Sequence, residues 1–411
     1  MPWTQGTSRS TAWRNTRSPL RPSRRSVRAN RRGADGLTPR RPNLQAAGPL
    51  DVPVRFPPFE HLHLYERGPP NVVNISLSNV QGFRFGEFAR PVPADFDLNE
   101  ADPNGARELR TLIARRHGVP VDHVLVTGGA TEANFLVNAA LVEPGARVVV
   151  DSPIYSPLRD CPIGFGASVA SVARDCRSDW AFDVDRVRRA MGRRCRLVVL
   201  ANLNNPTSAA LSRSELEELC QLAADRGASV LVDETFRELA FEAAPPSAIR
   251  FGPHVIAVST VTKVCGLGGL RAGWILADPT LLRRFRAVKD YTAVCGSGVG
   301  QLLATWALRR YAFFLRRARR ILDGNRKRVR ETVEGIRELE GSVPEGGTVL
   351  FPHCRANVGR LADLLLRRYR TVIAPGRFFG LRDHFRLGLG GDPRELEIGL
   401  GNIARALKSI V

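Results

Sequence analysis

The stretch STVTKVCGLGGLRAGW, Ser259 to Trp274, decides how the rest of the chain is read. The chain places arginine at nearly every basic position: of its 61 Lys+Arg residues only Lys263, Lys289, Lys327 and Lys408 are lysines. One of them stands inside this Gly-rich stretch. An amine can lose its proton and attack a carbonyl, whereas a guanidinium stays charged. A site that forms a Schiff base therefore needs a lysine, and a solvated surface position does not. Residue type alone leaves both readings open, so the neighbours must decide.

Around this stretch, from about residue 105, apolar runs alternate with amphipathic ones, the pattern of a layered α/β sheet. Candidate strands lie at 123–129, 146–153, 167–175, 195–206, 228–236, 254–263 and 271–278, and their Val and Leu content suits strands covered on both faces. Between them, Ser212 and Glu215 have capping-box spacing, and Gly227 supplies a stop. Residues 279–340 read as long Arg-studded helices. The last segment reads as a smaller α/β unit with GTVLFP, TVIAPGRFFG and HFRLGLGG, closed by a helix from about Pro393. Asp392 and Glu395 are spaced to cap that helix, and apolar residues recur at 396, 400, 403, 407 and 410.

Composition narrows the classes. At 411 residues the chain exceeds one ordinary core and predicts a large domain with a smaller one. There is no run of 18 apolar residues. The seven cysteines are scattered without CxxC spacing, which points away from a disulfide framework or zinc site and fits a reducing cytoplasm. The net charge of +21 is uneven: residues 1–50 hold 11 arginines and one acid, Asp35. That tail, taken as 1–48, reads as a disordered extension, with a transit peptide or a misassigned start as alternatives. Without aromatic interleaving or a helix-turn-helix pattern it does not specify nucleic-acid binding.

Open α/β sheets bind ligands beyond the carboxyl ends of their strands. The residues there form a coherent set. Gly128, Gly129, Ala130 and Thr131 make a glycine turn into a helix, suited to an anion. Tyr155 offers an aromatic face, Asn205 an amide, Asp233 a carboxylate, and Thr260 with Lys263 a hydroxyl and an amine. Arg271 follows in a Gly-rich loop able to meet a phosphate. Together these groups suit a phosphate, a stacking ring, a ring oxygen, a ring nitrogen and an aldehyde, all of which pyridoxal 5′-phosphate carries.

With those residues in view, the chain resembles the class I/II aminotransferases, pyridoxal-phosphate enzymes of the aspartate aminotransferase fold. The order GATEA, PIY, NNPT, DETF and TKVCGLGGLRAGW carries the likeness over approximately residues 51–411. The resemblance implies fold type I: a large domain with a mainly parallel seven-stranded sheet, plus a small α/β domain built from N- and C-terminal segments. It divides the chain into 49–95, 96–300 and 301–411. It implies that Lys263 bonds the cofactor's aldehyde, that Asp233 pairs with the ring nitrogen and Asn205 with the ring hydroxyl, and that Tyr155 stacks on the ring. By the same likeness Gly129, Ala130, Thr131, Thr260 and Arg271 hold the phosphate, and Arg386 clamps a substrate carboxylate. Asn79 is expected near the substrate. Amino-acid and 2-oxo-acid substrates, a homodimer and a cytoplasmic location follow from the same resemblance.

Three departures stand out. Phe236 occupies a position where the family usually has tyrosine, removing a hydroxyl from the ring-oxygen side. Ser208 replaces the glycine of NPTG, with little consequence expected. The tyrosine that commonly precedes GxxELR is absent from LNEADPNGARELR. Phe236 keeps a lyase or cyclase of amino-acid chemistry open as an alternative, and a catalytically silent binding protein or regulator is a further one. GLGGLRAG precedes a strand, so it is not a dinucleotide loop. His61 and His63, in HLH, read as a solvated or core-edge pair and not as metal ligands.

Overall fold

Seven short apolar runs form the central sheet: β1 (Val124–Thr127), β2 (Arg147–Ser152), β3 (Ser168–Ala173), β4 (Cys195–Ala201), β5 (Ser229–Asp233), β6 (Val255–Thr260) and β7 (Gly273–Leu276). Their spatial order is β1-β7-β6-β5-β4-β2-β3. The computed structural model describes residues 56–63, 71–88, 92–99, 102–192 and 194–410, so the expectations for 1–48 lie outside the described residues.

Alternation within one strand explains why the sheet is buried on both faces. Val148 and Val150 of β2 pack into one core with Leu125, Leu136 and Ile256. Val149, between them, packs into another with Val187, Val198 and Val230. Successive side chains of a strand point to opposite faces, so a run of Val with no polar interruption needs cover on both. Helices provide it, among them α1 (Arg107–His117), α2 (Ala130–Leu141), α3 (Ser156–Gly164) and α4 (Arg213–Asp225). The expected capping box starts α4: Ser212 Oγ accepts from Glu215 N at 3.2 Å, and Ser212 N donates to Glu215 Oε2 at 2.7 Å.

Strand direction positions the site. β3, β2, β4, β5 and β6 pair in parallel, whereas β7 pairs antiparallel with both β6 and β1. The carboxyl ends of β1, β2, β4, β5 and β6 therefore share one edge of the sheet, and the start of β7 falls on that same edge. This is why Arg271 can precede its strand while the other candidate site residues follow theirs.

The remainder follows the expected division of labour with finer detail. Residues 279–340 are three helices, Pro279–Lys289, Gly298–Arg309 and Tyr311–Glu334, before a short strand at Leu339–Glu340. A small antiparallel sheet places Phe385–Gly388 between Val349–Leu350 and Ala374–Pro375. Val73–Asn74 pairs with Thr371–Val372, tying the N-terminal segment to this C-terminal part. The closing helix, Pro393–Ile410, buries Leu396, Leu400, Ile403 and Leu407, each contributing about 1.5–3 kcal/mol of burial.

At the active edge β7 touches the start of α2 so closely that only glycine fits. A Cβ on Gly273 would lie 2.6–2.8 Å from Gly129 C, Gly129 Cα and Ala130 N. Gly273→Ala is therefore expected to destabilise the chain by about 1–3 kcal/mol. Chemical denaturation checks this, and an unchanged midpoint would contradict the close packing.

Candidate active site

Lys263 sits in a single helical turn, α5 (Thr262–Cys265), directly after β6. Its Nζ donates to Ser78 Oγ at 3.0 Å and lies 5.5 Å from the centroid of the Phe236 ring. Burial, with the guanidiniums of Arg386 and Arg271, outweighs the opposing carboxylate of Asp233 and brings the amine's pKa down to about 8. A lysine in this state supplies the neutral amine that carbonyl attack requires.

Asp233 ends β5 and is braced on both oxygens. Asn134 Nδ2, one turn into α2, donates to Oδ2 at 3.0 Å, and Thr235 N donates to Oδ1 at 3.0 Å. The next loop is braced more elaborately. Buried Arg174 forks onto Asp151 at the end of β2 with two bonds of 2.8 Å, and Asn204 Nδ2 joins the same carboxylate at 3.1 Å. Asn204 Oδ1 in turn accepts from Thr207 N and Oγ1. The neighbouring Asn205 is thereby held with Oδ1 accepting from Arg386 Nη1 at 2.9 Å, which leaves its NH2 to face the cavity. Ser208 is not inconsequential: it takes a left-handed φ of 62°, and its hydroxyl donates to Val349 O at 2.8 Å, joining this loop to the small sheet.

The anion cradle follows β1. Gly129 adopts φ 101°, and α2 begins at Ala130, so the backbone N–H groups of the first turn, with Thr131, open toward the cavity. Arg271, itself at φ 49°, donates from Nη2 to Gly128 O at 2.8 Å, and its guanidinium lies where a Cβ on Gly129 would sit. Thr260 Oγ1 donates to Ala272 O at 2.7 Å and contacts Thr262 Oγ1 at 2.9 Å.

These groups enclose one cavity of about 250 Å³. It brings together Asn79, Ala130, Thr131, Tyr155, Asn205, Asp233, Phe236, Thr260, Lys263, Arg271 and Arg386. Gly129 does not line it directly but caps the helix that does. Arg386, the middle of the small antiparallel sheet, is only 2% exposed and also donates from Nη2 to Ser76 O at 2.8 Å. Sequence reasoning missed Ser78, Asn134, Thr235 and His61. Asn134 closes the GGATEAN run and stands four residues beyond Ala130, a helical spacing that could have revealed it. Ser78 and Thr235 carried no such signal. His61 overturns the core-edge reading: it is 5% exposed, lines the cavity and lies 3.3 Å from Arg386 Nη2 through Nε2.

The set fits pyridoxal 5′-phosphate. It combines an amine of lowered pKa, a braced carboxylate, an amide, an aromatic face and a helix N-terminus beside a guanidinium. Thr235 Oγ1, buried in the cavity wall, has no hydrogen-bond partner among the described residues, as expected of a wall built around a polar occupant.

Comparison with known proteins points the same way. Residues 98–403 match the profile of aminotransferases of class I and II. Capreomycidine synthase of Streptomyces vinaceus is 32% identical over 378 residues, 88% of this chain and 95% of that protein. A PLP-dependent aminotransferase from Streptococcus suis superposes with a TM-score of 0.82 at 27% identity, covering 87% of this chain and 99% of the other. A PLP-dependent cyclase, OrfR, superposes at 0.79 with 29% identity and the same coverage.

The lowered lysine pKa predicts a stability effect. In the cofactor-free chain the buried ammonium is a penalty that is fully present below pH about 8 and vanishes as pH rises toward 10.5, where the unfolded lysine also loses its proton. Lys263→Met should therefore stabilise the cofactor-free chain by about 3 kcal/mol near neutrality. Denaturation across pH checks this: the gain should shrink between these two values, and a pH-independent gain would contradict the cause.

Proposed function

The chain belongs to the class I and II aminotransferase family, and from that membership we propose how its own residues perform the reaction. It is a pyridoxal-phosphate-dependent enzyme that moves an amino group between an amino acid and a 2-oxo acid. Bound in the cavity, the cofactor supplies an aldehyde that joins amines and a ring that draws electron density from the carbon beside them.

In this reading Lys263 Nζ holds the cofactor until the substrate's amine replaces it. The released Lys263 Nζ would be the base placed to take the proton from the substrate Cα and to hold it for return. Asp233 keeps the ring nitrogen protonated, and Asn134 fixes the direction of that carboxylate. Asn205 faces the ring oxygen with its NH2, Tyr155 covers the ring, and Phe236 borders the ring without a hydroxyl. Gly129, Ala130, Thr131, Thr260 and Arg271 receive the phosphate. Arg386, with Asn79 nearby, takes the substrate's α-carboxylate and so sets which bond at Cα stands across the ring. The observation that carries this reading is the convergence of Lys263, Asp233, Arg271 and Arg386 on one cavity.

We place the boundaries of the two domains as 96–300 for the cofactor-binding part and 49–95 with 301–411 for the smaller one, supported by the pairing of Val73–Asn74 with Thr371–Val372. The proposed assembly is a cytoplasmic homodimer. No helix among the described residues is long and apolar enough to cross a membrane.

A second reading has specific support: ring-forming chemistry on an amino acid through the same lysine. Phe236 alters the ring-oxygen side, and both capreomycidine synthase and the cyclase OrfR resemble this chain over most of its length. Purified protein should be coloured, and borohydride should fix the cofactor onto the peptide containing Lys263, but not in Lys263→Ala. Incubation with single amino acids then separates the readings: a new 2-oxo acid with conversion of the cofactor to its amine form marks transamination. Loss of the amino acid without an oxo acid marks the second reading.

Phe236→Tyr restores a donor to the ring oxygen. It should lower the pH at which the visible band titrates, by about one pKa unit for 1.4 kcal/mol of differential stabilisation. Spectral titration checks this, and an unmoved midpoint would remove Phe236 from the argument.

A further inference from the structure

Most titratable groups lining the cavity already have a task in the proposed reaction: Lys263 and Asp233 at the reacting end, Arg271 at the phosphate, Arg386 at the carboxylate and Tyr155 at the ring. His61 has none. It sits in the short helical turn Glu60–His63, with its ring stacked on Phe378 at 5.3 Å and 12° and set edge-on to Phe59, Tyr155 and Phe379. An aromatic box of this kind fixes the plane of an imidazole.

The protonation of that imidazole follows from its neighbour. A guanidinium only donates, so at 3.3 Å from Arg386 Nη2 the His61 Nε2 atom accepts, and the ring is the neutral tautomer with its proton on Nδ1. Burial, with the positive charges of Arg386 and Lys263, brings its pKa down to about 3, so the ring is uncharged at any working pH. Nη2 has two hydrogens, and both are directed: one to Ser76 O at 2.8 Å and one to His61 at 3.3 Å. A carboxylate that arrives on this face of Arg386 replaces the longer of the two. It frees the lone pair of Nε2 from the arginine, and its negative charge opposes the Arg386 cation, which after burial is the next cause of the imidazole's low basicity.

We propose that His61 is a second proton-handling residue of this site, released from Arg386 by the substrate's carboxylate and acting on the substrate's side chain at Cβ. The proposal rests on the aminotransferase reading. The carboxylate and Cβ are both substituents of Cα, so a group bordering the carboxylate seat also borders the side chain. His61 is placed beside that seat by its 3.3 Å approach to Arg386 Nη2, and the cavity lining contributed by its own segment, Phe59, His61 and Leu62, has no other titratable member. Where Cα is doubly bonded to nitrogen, as in the imine formed from the 2-oxo acid, that electron-poor carbon acidifies the Cβ–H bond. The proton passes to His61 Nε2, the Cβ–H electron pair forms the second Cα–Cβ bond while the imine pair moves onto nitrogen, and the reverse step returns a proton to Cβ. The exchange is redox-neutral and needs no co-reactant. It is also the step that loss of a substituent from Cγ would require.

The holoenzyme, as wild type and His61→Asn, is incubated in D2O with the protein amino acids one at a time, and deuterium at Cα and Cβ of recovered material is read by NMR. Asparagine is small and polar but cannot take a proton. Wild type is expected to exchange at both carbons; His61→Asn should keep Cα exchange close to wild type and lose Cβ exchange by about a hundredfold or more. Exchange at Cα alone in wild type, or a parallel fall at both carbons in the variant, would overturn the proposal and leave the aminotransferase reading standing. Absence of exchange at either carbon, in protein that also lacks a visible band, would sink both. A readout independent of turnover uses 15N-histidine-labelled holoenzyme, with His61 identified as the signals missing from His61→Asn. Added acetate should shift those ring signals as Arg386 is taken from Nε2, and unmoved signals would contradict the release.

Discussion

The constraint on which the rest depends is the burial of the central sheet on both faces. A strand that sends Val148, Val149 and Val150 alternately into two cores leaves no polar position at its centre, so hydrophilic chemistry collects toward the strand ends. Parallel pairing of β2, β4, β5 and β6 makes those ends coincide. The one reversed strand, β7, adds its beginning to the same edge and delivers Arg271 to the glycine turn after β1. A cofactor that carries a phosphate, an aldehyde, a ring oxygen and a ring nitrogen around one ring can then be gripped from loops that are far apart in sequence.

Each loop is itself held by a rigid neighbour. Asp233 is aimed by Asn134 from α2, and Asn205 is fixed through Asn204, Asp151 and Arg174, a buried group in which each polar partner satisfies the next. Such bracing matters because the chemistry depends on direction: a carboxylate turned away from a ring nitrogen would leave it unprotonated. The same logic applies to Arg386. Its fork is directed by Asn205, Ser76 and His61, so a charge almost wholly removed from water stands ready in one orientation.

The electrostatics of the cavity also pull in one direction. Burial, with the guanidiniums of Arg386 and Arg271, lowers the pKa of Lys263, and burial, with the charges of Arg386 and Lys263, keeps His61 neutral. A cationic chamber of this kind favours anionic guests, a phosphate and a carboxylate, whose charge opposes that of the guanidiniums.

Much of this was legible in the residues themselves. The seven strands read as apolar runs at nearly their observed places, the Ser212–Glu215 cap was visible as a spacing, and Lys263, Asp233, Asn205 and Arg271 stood out because strand ends collect polar residues, whereas Arg386 was expected from the family resemblance alone. These are local signals, set by side-chain chemistry within a few positions. What only the tertiary structure decided was contact across long separations. His61 meets Arg386, 325 positions away, and Ser78 meets Lys263, 185 positions away. Neither pairing has a periodicity or a motif. Ser208 likewise looked like a neutral replacement until its hydroxyl was found on Val349. A sequence records which groups are available; burial and the direction of strands decide which of them meet, and a histidine two residues from another histidine says nothing of the arginine against which it will be folded.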